Sequence, residues 1–264
     1  MDHNKRLMQM DWNDRARSNP FHYICSERKN WDSESFFQSG EADYNQLVKP
    51  VLTKLGFNPE GKSMLEVGCG VGRITRCFAR HFATVLASDI SEEMLQRGRE
   101  LHRGIENVVW MHGDGTTLKD VPSDSVDFVF SFLVLQHIPS KELQMGYLSE
   151  MLRVLKPGGV YCFQFNSLAG PTMNWKGRLI WGLIDMLVNS ADDSWRRAIA
   201  KRLAAALGLD DLAAGRTWRG AAMDPREVSG AVQRAGGMAP QVTGLATPRT
   251  WCYGRKGNAS ARSE

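Results

Sequence analysis

The sequence lacks the cysteine spacing that disulfide scaffolds and structural zinc sites require. Its five cysteines are widely separated among 264 residues and include no CxxC pair. Acidic residues and histidines do not cluster either, so we expect no metal site. Unpaired thiols are typical of reducing compartments, which predicts a cytoplasmic protein. The cysteines are Cys25, Cys69, Cys77, Cys162 and Cys252.

The sequence also has little that predicts a signal peptide or a membrane span. The segment from Met1 to Asp14 is polar and charged, and no long apolar run follows it. The longest apolar stretch, Leu179 to Val188, is about half a membrane span and contains Asp185. We therefore expect no stable insertion into a membrane.

Charge is spread unevenly over a chain whose net charge is +4. Residues 167–264 hold 14 Lys/Arg against 8 Asp/Glu, whereas residues 1–166 hold 19 against 21. The basic half either favours an acidic ligand or membrane surface, or is a solvated helical face. One predicted helical face there suits a lid helix with a basic outer side, or a helix resting on a membrane. This face carries Trp195, Ile199, Leu203 and Ala206.

Composition divides the chain into five parts. We predict an N-terminal helical lid over residues 1–45 and a ligand-binding core over residues 46–166. A helical lid insertion over 167–223 and a last core helix with a hairpin over 224–256 follow, and residues 257–264 form a tail.

The core alternates short β-branched strands with helical patterns. Such alternation predicts right-handed crossovers and a mostly parallel sheet. Ligands of such sheets bind beyond the carboxyl ends of the strands, and the unusual glycine and polar residues of this core fall at those ends. The predicted strands are Ser63 to Val67, Ala83 to Ser88, Val108 to His112, Val126 to Phe132 and Val160 to Phe165.

The helix boundaries also carry local signals. We predict helices from Gly72 to His81, after an N-cap at Ser91, and from Ser140 to Leu155. Asp224 followed by Pro225 predicts another helix start. Two closing strands around Thr247-Pro248 then form a hairpin. This hairpin completes a seven-stranded Rossmann-like α/β sheet under a helical lid.

A glycine-rich turn follows the first predicted strand. Gly68, Gly70 and Gly72 alternate, and an acid, Glu66, lies two residues before the first of them. Glycines let the backbone turn sharply and let a ligand approach it, and the next helix offers free N–H groups to a ligand carboxylate. The dinucleotide pattern GxGxxG would need a glycine where Arg73 stands.

Two further acids end the next strands. Asp89 ends the second strand, where a carboxylate can accept hydrogen bonds from both ribose hydroxyls or cap the following helix. Asp114 ends the third strand, between two glycines. Its carboxylate either accepts from the exocyclic amine of adenine, with an N–H of Gly115 or Thr116 facing a ring nitrogen, or forms a turn.

The run LEVGCGVGR at residues 65–73 resembles motif I of class I S-adenosylmethionine (SAM)-dependent methyltransferases. Asp89, Asp114, residues 127–139 and residues 152–159 fall where the later motifs of that family fall. The resemblance covers about residues 46–166 and is strongest to the bacterial small-molecule branch that includes ubiquinone and menaquinone methyltransferases.

The resemblance implies SAM as the cofactor and assigns roles to residues of the core. The three glycines would line the methionine part, Asp89 the ribose and Asp114 the adenine. Glu66 would brace the loop or reach the amino group through water. Met94 is either a further cofactor contact or an ordinary core methionine, and Arg73 is either a cofactor contact or a solvated helix residue. The other implied cofactor contacts are Cys69, Ile90, Gly115, Thr116, Ser131, Phe132 and Gln136.

The stretch Ser131 to Pro139 follows the fourth strand and is expected to reach the acceptor. Within it, His137 is the candidate catalytic residue, either as a general base or as a hydrogen-bonding anchor of the loop. Enzymes that methylate amino groups of nucleic acids carry a Pro-Pro-Tyr/Phe clamp here. Phe132-Leu133-Val134 stands in its place, which argues against a nucleic acid partner.

These patterns predict transfer of the SAM methyl group to oxygen, nitrogen or carbon of a small, partly apolar molecule. Alignment of acceptor and methyl group can supply several kcal/mol without a base. Tyr23, residues 36–40 and residues 179–188 would cover the cofactor or line the acceptor cavity. Two alternatives stay open: an NAD(P)-dependent oxidoreductase, disfavoured by Arg73 and Asp114, and a SAM-binding regulator without catalysis.

Overall fold

Seven strands form one sheet in the computed structural model, which describes residues 3–167, 220–245, 247 and 249–258. In chain order they are β1 (Ser63–Val67), β2 (Thr84–Asp89), β3 (Val108–His112), β4 (Val126–Ser131), β5 (Leu155–Phe165), β6 (Gly237–Thr243) and β7 (Thr250–Lys256). Their spatial order is β3-β2-β1-β4-β5-β7-β6. Strands β1 to β5 pair in parallel, and β7 pairs antiparallel with both β5 and β6. The predicted Rossmann-like sheet with a closing antiparallel hairpin is confirmed.

Helices lie before, between and after these strands. They are α1 (His3–Ser18), α2 (Pro20–Ile24), α3 (Ser33–Asp43), α4 (Lys49–Lys54), α5 (Thr75–His81), α6 (Glu92–Leu101), α7 (Lys141–Val154) and α8 (Pro225–Arg234). A π-helical turn, Tyr44–Val48, joins α3 to α4, and a 3-10 turn, Leu135–His137, precedes α7. None of the helices within the described ranges is long and apolar enough to cross a membrane.

Side-chain caps fix the starts of three core helices. The side chains of Ser91 and Ser140 accept hydrogen bonds from the N–H groups of Met94 and Leu143, three residues further on. Asp224 accepts from the Arg226 N–H, with Pro225 in the first turn of α8. Each such cap is worth about 1 kcal/mol, and all three starts agree with the sequence prediction.

The fifth strand begins earlier than the sequence predicts. Helix α7 ends at Val154, and β5 starts at Leu155 rather than Val160. Leu155 already pairs with Val126 of β4, and the register shifts before Val160 pairs with Phe128. Gly158 adopts a positive φ of 75° inside this irregularity. The Pro-Gly-Gly stretch is therefore an irregular part of the strand rather than a loop before it.

The N-terminal helices lie over the carboxyl ends of β2 and β3. Arg17 of α1 pairs with Glu93 of α6 at 2.6 Å, and the Ser91 hydroxyl donates to Asn13 at 2.7 Å. Phe36 and Phe37 of α3 pack with Val71 and Met94 in a buried cluster. Residues 179–188 and the predicted face around Trp195 lie outside the described residues.

Candidate functional site

A cleft opens at the carboxyl ends of β1, β2 and β4, beneath α1 and α2. It contains about 890 Å³ of empty space, which includes the part open to solvent. Eleven predicted site residues line it: Glu66, Gly68, Cys69, Gly70, Arg73, Asp89, Ile90, Met94, Gly115, Phe132 and His137. Gly72, Asp114, Thr116, Ser131 and Gln136 lie behind or beside this lining.

The glycine turn is hydrogen-bonded to the end of β2. The N–H groups of Gly68 and Cys69 both donate to the Ser88 carbonyl, at 2.7 and 3.0 Å. Gly68 and Gly70 have φ values of 76° and 57°, which side-chain-bearing residues rarely adopt. The conformation of the turn therefore depends on the glycines that follow β1 and on a carbonyl acceptor of the neighbouring strand.

Gly72 has a different reason to be glycine. A Cβ at this position would lie 2.6 Å from His102 Nε2 and 2.6 Å from the Trp110 ring. His102 in turn donates to the Val71 carbonyl, with its Nε2 3.0 Å from that oxygen. The third glycine therefore lets the turn pack against a buried histidine and tryptophan, on the side away from the cleft.

Asp89 contributes a half-buried carboxylate to the cleft wall. Its Oδ1 accepts the Ser91 N–H and its Oδ2 accepts the Gly70 N–H, both at 2.8 Å. Burial raises the pKa of this carboxyl, against the effect of those hydrogen bonds. Each carboxylate oxygen has two acceptor sites, so each keeps capacity for one ligand hydroxyl.

Glu66 lies deeper in the same wall. It is buried, and the Thr75 hydroxyl donates to its Oε2 at 2.5 Å. Burial raises its pKa to about 8, because the hydrogen bond from Thr75 and the charge of Arg73 only partly offset the loss of solvent. At neutral pH, the ligand-free protein therefore holds Glu66 mainly as the neutral acid.

This shift predicts that ligand-free protein loses stability as pH rises. The folded state binds a proton on Glu66 up to its raised pKa of about 8, whereas the unfolded chain releases it near the ordinary glutamate pKa of 4.5. The free energy of unfolding should therefore fall across that window. Glu66→Gln keeps the acceptor for Thr75 and should flatten this fall. Urea unfolding of both proteins at pH 5, 6.5 and 8 measures it, and equal slopes would contradict the assignment.

Arg73 is buried on the cleft wall, so the expectation of a solvated helix residue is wrong. Its Nη1 lies 2.6 Å from Asp43 and 3.2 Å from the Ser39 hydroxyl. The reason is α3, whose Gly40 lies so close that an added Cβ would meet the Arg73 carbonyl oxygen at 2.2 Å. The Arg73 Nε has no hydrogen-bond partner among the described residues. Its role toward a cofactor carboxylate stays a prediction.

The Asp114 carboxylate closes its own turn. It accepts the N–H groups of Thr116 and Thr117 at 2.9 and 2.7 Å, and Lys5 of α1 at 3.2 Å. Partial burial opposes ionisation, but these hydrogen bonds lower its pKa to about 2. Gly115 lines the cleft directly, packed against Ile90. Contact of Asp114 with adenine stays a prediction, and Lys5 already contacts the same carboxylate.

The loop after β4 forms the opposite wall. Phe132 stacks on Trp251 with ring centroids 5.1 Å apart, and Leu133 has a positive φ of 59°. The buried His137 ring lies edge-on to Trp12 at 5.3 Å. Ser131 is behind the lining, where its hydroxyl donates to the Val67 carbonyl at 3.2 Å and joins β4 to β1.

Sequence reasoning missed several cleft residues. Helix α1 brings Met8 and Trp12, α2 brings Ile24, and α7 brings Tyr147. Trp12 and Tyr147 occur in patterns that a packed helix face explains equally well, so the sequence offered no signal to single them out. Of the predicted lid residues, Tyr23 lines the cleft, whereas Phe36 and Phe37 pack behind it.

Known proteins share this core. Residues 65–163 match the family described as a methyltransferase domain. A demethylmenaquinone methyltransferase of Tropheryma whipplei (strain Twist) is 35% identical over 99 residues, covering 38% of this chain and 39% of that protein. A phosphoethanolamine N-methyltransferase of Triticum aestivum is 28% identical over 148 residues, covering 53% of this chain and 29% of that protein. The chain thus spans well under half the length of both relatives.

The fold as a whole also has solved counterparts. The crystal structure of magnesium protoporphyrin IX methyltransferase from Synechocystis PCC 6803 with bound SAH superposes with a TM-score of 0.59 and 15% identity, covering 96% of this chain and 99% of that one. Residues 65–163 are thus similar in sequence to a methyltransferase domain, and the chain has the fold of SAM-dependent methyltransferases. The resemblance predicted from residues 65–73 is confirmed.

Proposed function

We propose that this chain transfers the methyl group of SAM to an oxygen, nitrogen or carbon atom of a small, partly apolar molecule. One observation carries the proposal. The glycine turn after β1, the Asp89 carboxylate at the end of β2 and Gly115 after β3 all line a single cleft. A ligand with an amino-acid part, a ribose and a purine can meet all three at once.

The chemistry of the cleft fits this cofactor. Both Asp89 oxygens keep acceptor capacity for ribose hydroxyls, and the side-chain-free Gly68 and Gly70 let the amino-acid part lie against the backbone. Neutral Glu66 can donate or accept beneath it. When bound, SAM supplies an electrophilic methyl group on a sulfonium. The residues of the chain then need to hold the acceptor in line with it and exclude water.

The acceptor side supports a partly apolar molecule. Trp12, Ile74, Phe132 and Ile138 line the cleft, and His137 and Tyr23 add polar groups to the same lining. Helices α1 and α2 cover the cleft, as a lid that limits water would. A small molecule of mixed character, such as those named for the relatives, suits this lining better than a bulky polymer.

Calorimetry with SAM, its demethylated product and NAD tests the cofactor assignment. We expect binding of SAM and of the demethylated product, and no measurable heat with NAD. A preference for NAD would make the chain a nicotinamide-dependent oxidoreductase instead. Turnover against a panel of phenols, amines and quinol-like acceptors separates an enzyme from a SAM-binding regulator, since a regulator would bind SAM and yield no demethylated product with the panel.

We further propose a reducing, cytoplasmic location. All five cysteines are free and buried, and burial raises the pKa of Cys69, Cys77 and Cys162. Thiols held in this protonated form are unreactive. Alkylation of unfolded protein isolated from cells should modify all five cysteines without prior reduction.

A further inference from the structure

A chain of side-chain amides connects β5 to the histidine of the cleft. The Leu133 N–H donates to Gln164 Oε1 at 3.0 Å, and Gln164 Nε2 donates to Gln136 Oε1 at 3.0 Å. Gln136 Nε2 then lies 3.2 Å from His137 Nε2. These three contacts form one continuous path from a backbone amide to an imidazole nitrogen.

The direction of every bond in this path is fixed by its first donor. A backbone N–H can only donate, so the oxygen of Gln164 must face Leu133 and its nitrogen must face Gln136. The oxygen of Gln136 is thereby taken up, and its nitrogen faces the imidazole. An amide nitrogen only donates, so His137 Nε2 must accept, which requires a lone pair on it.

We propose that Gln164 and Gln136 are positioning residues that hold His137 as the neutral tautomer protonated on Nδ1. Its Nε2 lone pair is occupied by the Gln136 amide. His137 therefore does not remove the proton of an acceptor through Nε2. It anchors the loop instead of acting as a base. This last consequence rests on the proposed methyl transfer, whereas the tautomer itself does not.

The surroundings explain why two amides are placed here. Gln164 is fully buried on β5, so its oxygen and nitrogen both need partners. Leu133 has a left-handed backbone, at φ 59°, that disfavours side-chain-bearing residues. The bond from its N–H to Gln164 helps to hold that conformation. The path thus connects the backbone conformation of the loop to the tautomer of His137.

Nitrogen-15 NMR of histidine-labelled, full-length protein tests the tautomer directly. The His137 signals are identified by their loss in His137→Gln. At pH 7.5 we expect the long-range proton–nitrogen pattern of a protonated Nδ1 and an unprotonated Nε2. A protonated Nε2 in the unsubstituted protein would overturn the proposal, and this measurement needs no variant of the path and no cofactor.

Gln136→Glu reverses the last bond of the path. A carboxylate at this half-buried position still accepts from Gln164 but cannot donate, so His137 Nε2 must then carry the proton. We expect the Nε2 signal to move to the protonated position in this variant. A spectrum unchanged from the original would contradict the proposal. Failure of SAM binding in calorimetry would overturn the proposed function and leave the tautomer assignment standing.

Discussion

Replacing Asp89 with alanine should weaken SAM binding by about a hundredfold or more. The carboxylate would accept two ribose hydroxyls, and each charge-assisted bond is worth roughly 1.5–3 kcal/mol. The same oxygens hold the N–H groups of Gly70 and Ser91 at 2.8 Å. Alanine therefore removes both the sugar contacts and the tie between the glycine turn and the end of β2.

Calorimetric titration with SAM measures this loss, and thermal unfolding shows whether the variant keeps its fold. Asp120→Ala is the matched control, because it removes the same charge from an exposed turn. We expect Asp120→Ala to bind SAM as the original protein does. If Asp89→Ala also kept its affinity, Asp89 would not be part of the cofactor site.

Gly68→Ala should disable the cleft by a steric route. The position has a φ of 76°, and an added Cβ would lie 2.1 Å from Cγ2 of Val134 in the loop after β4. The left-handed backbone alone costs an alanine roughly 1–2 kcal/mol. The two cleft walls must also move apart to relieve the contact. We expect SAM affinity to fall at least about tenfold, together with the free energy of unfolding.

Gly146→Ala provides the matched control for that substitution. Gly146 is exposed within α7, and nothing lies within 4 Å of the position that its Cβ would take. Alanine in a helix interior stabilises by roughly 0.5–1 kcal/mol relative to glycine. Urea unfolding should therefore show opposite shifts for the two variants. If Gly68→Ala unfolded like Gly146→Ala, the contact with Val134 would not constrain the cleft.

Features that depend on local chemistry could be predicted from the sequence. The strand–glycine turn–helix unit, the Ser91 and Asp224 caps and the strand ending in Asp89 each follow from neighbouring residues. Hydrophobic periodicity and the residue preferences of turns and helix caps involve only a few neighbouring residues, so they can be recognised without knowledge of the fold. The parallel direction of the first five strands then follows from the alternation of strands and helices.

Features that depend on partners distant in the sequence could not be predicted from it. Arg73 is buried because Asp43 and Ser39 approach it from α3, and the Asp114 carboxylate meets Lys5 from the start of the chain. The sequence around residues 73 and 114 does not indicate these partners. The amide path from Leu133 to His137 likewise needs Gln164 of β5, which reads in sequence as one polar residue in an apolar strand.

A crystal structure with S-adenosylhomocysteine tests the central claim most directly. We expect its ribose hydroxyls within hydrogen-bond distance of Asp89, its amino-acid part against Gly68 and Gly70, and its purine beside Gly115. Density for the ligand at another surface, with Asp89 still bonded only to Gly70 and Ser91, would contradict it.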